Sequence, residues 1–240
     1  HGSGLDHTFW NLQSRFFAFR NYSVLALDAP GHTKSEGPPL ESIEAMGDWV
    51  NDIVTALDIN DVSIVAHSQG CLVALEYVSR YPERVKSVSL VASGLATPVN
   101  AALIKAAEED PEAAIAMMLG WGFGSAGHLH QGPIPGSSMV ASGRKVMHGN
   151  VPSELATDLK ACNAYQGGRE AAAAITAPVQ VIIAGKDKMA PAKATAELVE
   201  HLPAPEVTVI KESGHMVPQE VPNQCRQLLR DFIFRNNPAN

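Results

Sequence analysis

The stretch 64-IVAHSQG-70 sets a β-branched apolar run directly against Ser68 and Gly70, with almost no loop between them. A buried strand that meets a helix so abruptly holds the intervening residue in a strained backbone. Its side chain then stands at the carboxyl edge of the sheet, where open parallel sheets bind ligands. The helix that follows turns its unpaired N-terminal amides toward the same point, which suits a developing oxyanion. Ala66-His67-Ser68-Gln69-Gly70 thus reads as a nucleophile elbow of Gly-x-Ser-x-Gly type, with alanine at a position that mainly needs a small side chain. The competing reading of Ser68 is a helix N-cap.

Working outward, the chain alternates strands and helices. Apolar runs at 23–27, 62–66, 85–92, 179–184 and 206–210 read as strands. Ile43, Met46, Val50, Ile53 and Leu57 recur at helical spacing and predict a one-sided helix, and further helices are expected at 69–80, 192–201 and 224–234. Strands that are apolar throughout and alternate with helices imply an α/β fold: a mostly parallel central sheet covered by helices on both faces. The rhythm breaks between residues 95 and 176. There, Ala-rich helical stretches (101–109, 112–119, 153–165) flank a glycine-rich part, 120-GWGFGSAGHLHQGPIPGSS-138, expected to be flexible. The expected organisation is a core of residues 1–94 and 177–240, with 95–176 as a helical cap or lid.

A serine hydroxyl needs a base, and the base needs an orienting carboxylate. Asp187 follows the strand 179–184 and His215 follows the strand 206–210, so both fall on the sheet edge that carries Ser68. Three residues of these types, in the order Ser, Asp, His after three parallel strands, predict a catalytic triad. The opening 1-HGSG-4 is a Gly-rich turn with uncovered amides. The N–H of Ser3 is expected to pair with that of Gln69 as an oxyanion hole, with Gly4 a competing donor.

Composition bounds the rest. The 240 residues, 45% hydrophobic, suit one domain with a full core. A net charge of -7 without a long basic run favours neither nucleic acid nor an anionic membrane as partner. No apolar segment approaches the roughly 20 residues of a membrane span. Cys71, Cys162 and Cys225 read as reduced thirds of an odd, widely spaced set, which points to a cytoplasmic location. His128 and His130 lack an evident third ligand, so neither a metal nor a cofactor is expected. His32 and His148 have no assigned role.

The motifs HGSG, DAPGHTKS (28–35), AHSQG, AGKDKMAP and SGHMVPQEVP, in this order, resemble the α/β-hydrolase superfamily, in its esterase-like branch with a helical cap. DAPGHTKS is similar to the family's D-x-P-G-x-G-x-S turn, with Thr33 where glycine is usual. The resemblance implies a cofactor-free serine hydrolase acting on a small-molecule ester or acyl compound. Carbon–carbon or amide hydrolysis, perhydrolysis, and a slow-turnover receptor with an intact triad are alternatives on the same fold. It also places His67 in the pocket wall, and Met118 and Trp121, with Met117, Leu119 and Phe123, either along an acyl pocket or in simple packing of the cap. Met216, beside His215, is expected to contact substrate. In this family a strand precedes the HG turn and separates the strands equivalent to 23–27 and 62–66. An N-terminal segment of three strands is therefore expected before His1, and without it the sheet should not be stable.

Overall fold

In the computed structural model, residues 1–129, 135–150 and 153–239 are described. The chain opens with a tight turn and a short 3-10 turn, His7–Trp10, leading into α1, Asn11–Ala18. Helix α2, Ile43–Ala56, begins at Ser42, whose side chain accepts from the Ala45 amide at 3.1 Å. Such a cap contributes about 1 kcal/mol. Ile43, Met46 and Val54 are buried, whereas Leu57 is 55% exposed. The expected apolar stripe is thus shifted by one residue in its last turn, where Leu57 has become the cap and no longer follows the helix.

Four strands make one parallel sheet in the order β1 (Val62–His67), β2 (Val85–Val91), β3 (Val179–Ala184) and β4 (Glu206–Ile210). The segment 23–27 is the exception to the sequence reading. It is outside the sheet, and Val24 and Leu25 are 39% and 54% exposed. A strand is completed by a neighbour's backbone, and among the described residues none pairs with it.

Successive residues of β3 serve opposite faces, as the period of two requires. Val179 and Val181 join Val88, Leu90 and the α3 (Gln69–Arg80) residues Cys71 and Leu75. Ile182 and Ala184 face the other core. Each fully buried leucine in these layers contributes about 1.5–3 kcal/mol. The second face also carries paired polar groups: Ser89 donates to Gln180 at 3.2 Å, and Gln180 donates to the Leu228 carbonyl at 3.2 Å.

Between β2 and β3 the described chain is helical: α4 (Ala101–Glu109), α5 (Pro111–Gly122), α6 (Ser125–His128), α7 (Met139–Met147), α8 (Glu154–Ala164) and α9 (Gly168–Ala174). Of the glycine-rich part, Ser125–His128 forms a helical turn, and His130 lies outside the described residues. Leu103, Ile115, Met118, Leu119, Leu155 and Leu159 join Val91 in one apolar cluster, so these helices close over the carboxyl end of the sheet. The chain ends through α10 (Ala192–His201), α11 (Val217–Glu220) and α12 (Pro222–Asn236), with α12 covering the sheet opposite α3. No helix among the described residues is long and apolar enough to cross a membrane.

Candidate active site

β1 ends at His67 and α3 begins at Gln69, which leaves Ser68 alone at the junction with φ 53° and ψ -122°. That is a glycine region, and a residue with a Cβ stays in it only when its surroundings hold it there. They do: the Ser68 amide donates to Val91 O at 3.1 Å, and its carbonyl accepts from the Cys71 amide at 2.8 Å and Ser93 Oγ at 3.2 Å. The opening turn lies against this elbow so closely that a Cβ on Gly70 would fall 2.6 Å from the His1 carbonyl oxygen.

Asp187 and His215 stand on the loops after β3 and β4. Asp187 Oδ1 accepts from the Met189 and Ala190 amides, each at 2.8 Å, and Oδ2 lies 2.7 Å from His215 Nδ1. Nδ1 must donate to this carboxylate, which leaves the lone pair on Nε2. Both side chains are almost wholly buried.

The loop bearing His215 is tied down by a residue that the sequence did not single out. Glu220 accepts from the amides of Gly124 (3.0 Å), Gly214 (3.1 Å) and Met216 (3.2 Å). Burial pushes the Glu220 carboxyl up, and the amide hydrogen bonds oppose it. Nothing in the local pattern marks Glu220, because the partner that ties it to another loop, Gly124, is distant in sequence.

His67 has no exposure. It donates from Nε2 to the His215 carbonyl at 3.0 Å, and its ring lies between Phe9 and His215, 4.5 and 4.7 Å away. Its Nδ1 is buried without a partner, and burial followed by the charge of His215 holds the imidazole well below its ordinary value. A neutral His67 supports the His215 loop from behind.

Ser68 and His215 open onto one cavity of about 390 Å³, within the range that takes small organic ligands. Ser3, His67, Met118, Trp121 and Met216 line the same space. The structure separates the two oxyanion candidates on the first turn. The Gly4 amide is directed away to Glu154 Oε1 and Asp158 Oδ2, both at 3.2 Å, and so is engaged elsewhere. Among the described residues no acceptor takes the Ser3 or Gln69 amide.

A second polar cluster sits behind that turn. His32 Nε2 is 2.6 Å from Glu154 Oε1 and 3.1 Å from Asp158 Oδ2, all three side chains at most 2% exposed. Burial would lower the His32 imidazolium, but hydrogen bonds and charge from Asp158 and Glu154 prevail and hold it at about 10. Burial and the Asp158 charge lift Glu154 to about 8, while His32 outweighs burial at Asp158 and keeps it low. A histidine and two carboxylates resemble a metal-ligand set. Here the two oxygens facing Nε2 also accept the Gly4 N–H, so donors occupy the place a cation would take. Thr33, where the family turn has glycine, adopts φ 44°. It is held by its amide to Asn150 Oδ1 (3.0 Å) and its hydroxyl to Asp6 Oδ2 (2.9 Å).

The fold is that of an α/β-type hydrolase. A sequence model of the Alpha/beta hydrolase family matches residues 1–228, and the chain belongs to that family and is a hydrolase. It is similar to an uncharacterised protein of Mycobacterium tuberculosis, 24% identical over 100% of this chain and 75% of that one. It is also similar to a pimeloyl-[acyl-carrier protein] methyl ester esterase of Neisseria meningitidis, 27% identical over 97% of this chain and 91% of the other. Among solved structures it resembles the enol-lactonase of Burkholderia xenovorans (TM-score 0.87, 22% identity, 97% of this chain and 88% of that one). A thermophilic esterase of Thermogutta terrifontis is similar as well (TM-score 0.84, 18% identity, 96% and 86% covered). At these identities the structural likenesses speak for the fold.

Proposed function

We propose that this protein is a cofactor-free serine hydrolase that cleaves a small carboxylic ester through an acyl-enzyme. The observation that carries the reading is the 2.7 Å bond from His215 Nδ1 to Asp187, with Ser68 held at positive φ on the same cavity. Ser68 Oγ attacks the carbonyl carbon while His215 Nε2 takes its proton. Asp187 keeps the imidazole in that tautomer and stabilises the cation. The tetrahedral oxyanion rests on the Ser3 and Gln69 amides. Its collapse expels the alcohol, which receives the proton from His215, and water then releases the acid by the same steps in reverse. The helical segment 95–176 acts as a cap, with Met118 and Trp121 facing the acyl chain. The names of the similar proteins, a methyl ester esterase and an enol-lactonase, support ester chemistry at such a site. Three buried free cysteines fit a reducing, cytoplasmic setting.

The test is a fluorophosphonate probe with ester turnover measured beside it. Labelling confined to Ser68, lost in His215→Ala, with turnover above about 1 per second on a p-nitrophenyl ester, is expected. Absence of labelling in folded protein refutes the triad. Labelling with negligible turnover on ester, amide and diketone substrates means a receptor instead.

A further inference from the structure

The buried cluster behind the opening turn has no part in the chemistry just described, yet it is built with unusual completeness. His32 donates from Nδ1 to the Ala29 carbonyl at 3.1 Å, which fixes the ring and aims Nε2 at Glu154 and Asp158. The same two carboxylate oxygens take the Gly4 amide. Asn150 completes the enclosure by donating from Nδ2 to the Gly4 carbonyl and to Glu154 Oε2, both at 3.0 Å. Both backbone polar groups of one glycine are thus held by side chains from the segment between β2 and β3. Three ionisable groups are buried to do so, and a buried ion cluster often adds little net stability over apolar packing. The cluster therefore calls for a role beyond stability.

The geometry of the turn shows what that role is. Leu5 N–H closes on Gly2 O at 3.1 Å, and Gly4 has φ +70°, the pattern that a type II turn requires. In such a turn the central peptide, here Ser3–Gly4, can rotate to the type I arrangement without breaking the closing bond. Rotation would take the Gly4 N–H off the carboxylates, changing ψ of Ser3 and φ of Gly4; the bonds to both polar groups of Gly4 oppose it and fix the position of the turn as a body. The same turn carries the Ser3 amide, and it packs against the elbow at Gly2, where an added Cβ would lie 3.0 Å from Ser68 Cβ.

We propose that His32, Glu154, Asp158 and Asn150 are positioning residues that lock the Ser3–Gly4 peptide and so hold the Ser3 amide in the oxyanion hole. The inference rests on the serine-hydrolase reading. It makes α8 a support of the catalytic geometry as well as a cover over the cavity. Charge strengthens the lock, since N–H bonds to a carboxylate are roughly twice as strong as those to a neutral oxygen. His32 supplies the counter-charge that lets Asp158 remain ionised in the interior.

The experiment uses the full chain carrying Glu154→Gln, Asp158→Asn or, at a half-buried position, Asn150→Ala. For each, kcat and KM on p-nitrophenyl acetate are measured with the inhibition constant of an aryl trifluoromethyl ketone, which forms a serine-bound oxyanion. Losing an oxyanion donor outright lowers kcat by about 100–1000-fold. A donor left mobile should lose part of that, about 10-fold or more for either acid and about 3-fold or more for Asn150→Ala. KM should stay within about threefold, and ketone affinity should fall in step with kcat/KM. Folded variants whose ketone affinity and kcat match the parent, or which change only in KM or melting temperature, overturn the proposal. If an acid variant does not fold, Asn150→Ala decides by the same criteria. A parent protein that neither binds the ketone nor labels at Ser68 would instead remove the hydrolase reading beneath it.

Discussion

Replacing Ser68 by glycine should make the protein more stable while destroying its activity. At φ 53° and ψ -122° the residue occupies a region that disfavours any Cβ, a strain of about 1–3 kcal/mol. Glycine relieves it but adds freedom to the unfolded chain, which takes back about 0.4–1 kcal/mol. Alanine removes the hydroxyl and keeps the strain, so comparing the two variants isolates the backbone contribution. The Ser68→Gly protein should exceed Ser68→Ala by about 1 kcal/mol in urea denaturation. For a chain of this size that is about 2–4 °C in melting temperature. Both variants should lose on the order of a thousandfold or more in ester hydrolysis, with a residual rate from the oxyanion donors. Equal stabilities, or a less stable glycine variant, would show that the elbow stores no strain. Near-normal hydrolysis in either would remove Ser68 as nucleophile.

Asp187→Asn should preserve the fold, since its oxygen can still meet the amides of Met189 and Ala190. Its NH2 would favour the wrong His215 tautomer, and kcat should fall by roughly 10³–10⁴-fold, while a normal rate in the pure variant counts against the base assignment. His32 and Glu154 both bind protons more tightly in the folded chain, the first raised from 6.5 to about 10 and the second from 4.5 to about 8. The folded state therefore carries the extra protons, and stability should decline as pH rises from 6.5 toward 8, where the two windows overlap. Melting curves across that range check this, with a shallower decline expected in Glu154→Gln and a flat or rising parent curve as the refuting result. Substituting Trp121 or Met118 should shift p-nitrophenyl ester preference along the acyl series more than it shifts melting temperature. Unchanged selectivity would reduce both residues to packing.

The sheet was readable because β1 to β4 are written as continuous apolar runs, and each finds a neighbour. The run at 23–27 looks the same locally, but pairing is a property of two segments, and the neighbour that the resemblance implies for it is a strand before the HG turn, which is not among the described residues. Leu57 shows the same limit at smaller scale, since the helical period continues in sequence past the point where the helix stops. Ser68, Asp187 and His215 were visible because each follows a strand, and parallel strands deliver their ends to one edge. Glu154 and Asp158, one helical turn apart on α8, carry no local sign that they are buried. Only the closing of that helix over the turn at 1–4 buries them, and no local pattern encodes it. Thr33 was noticed as a departure from glycine, and its φ of 44° gives the physical reason for the family's usual residue.

The two bonds from α8 to Gly4 bear on how this hydrolase could be re-engineered or could have diverged. Insertions between β2 and β3 are natural units to exchange when a new substrate range is wanted, because they meet the sheet through an apolar surface. In this chain such a transplant would also withdraw the carboxylates that fasten the opening turn. A donor segment without acids at the positions of Glu154 and Asp158 would dock and fold, yet leave the turn free to rotate. If the proposed roles hold, selectivity and rate are inherited together here, and a useful chimera transfers residues 95–176 with their pair of acids and keeps His32 in the recipient to face them.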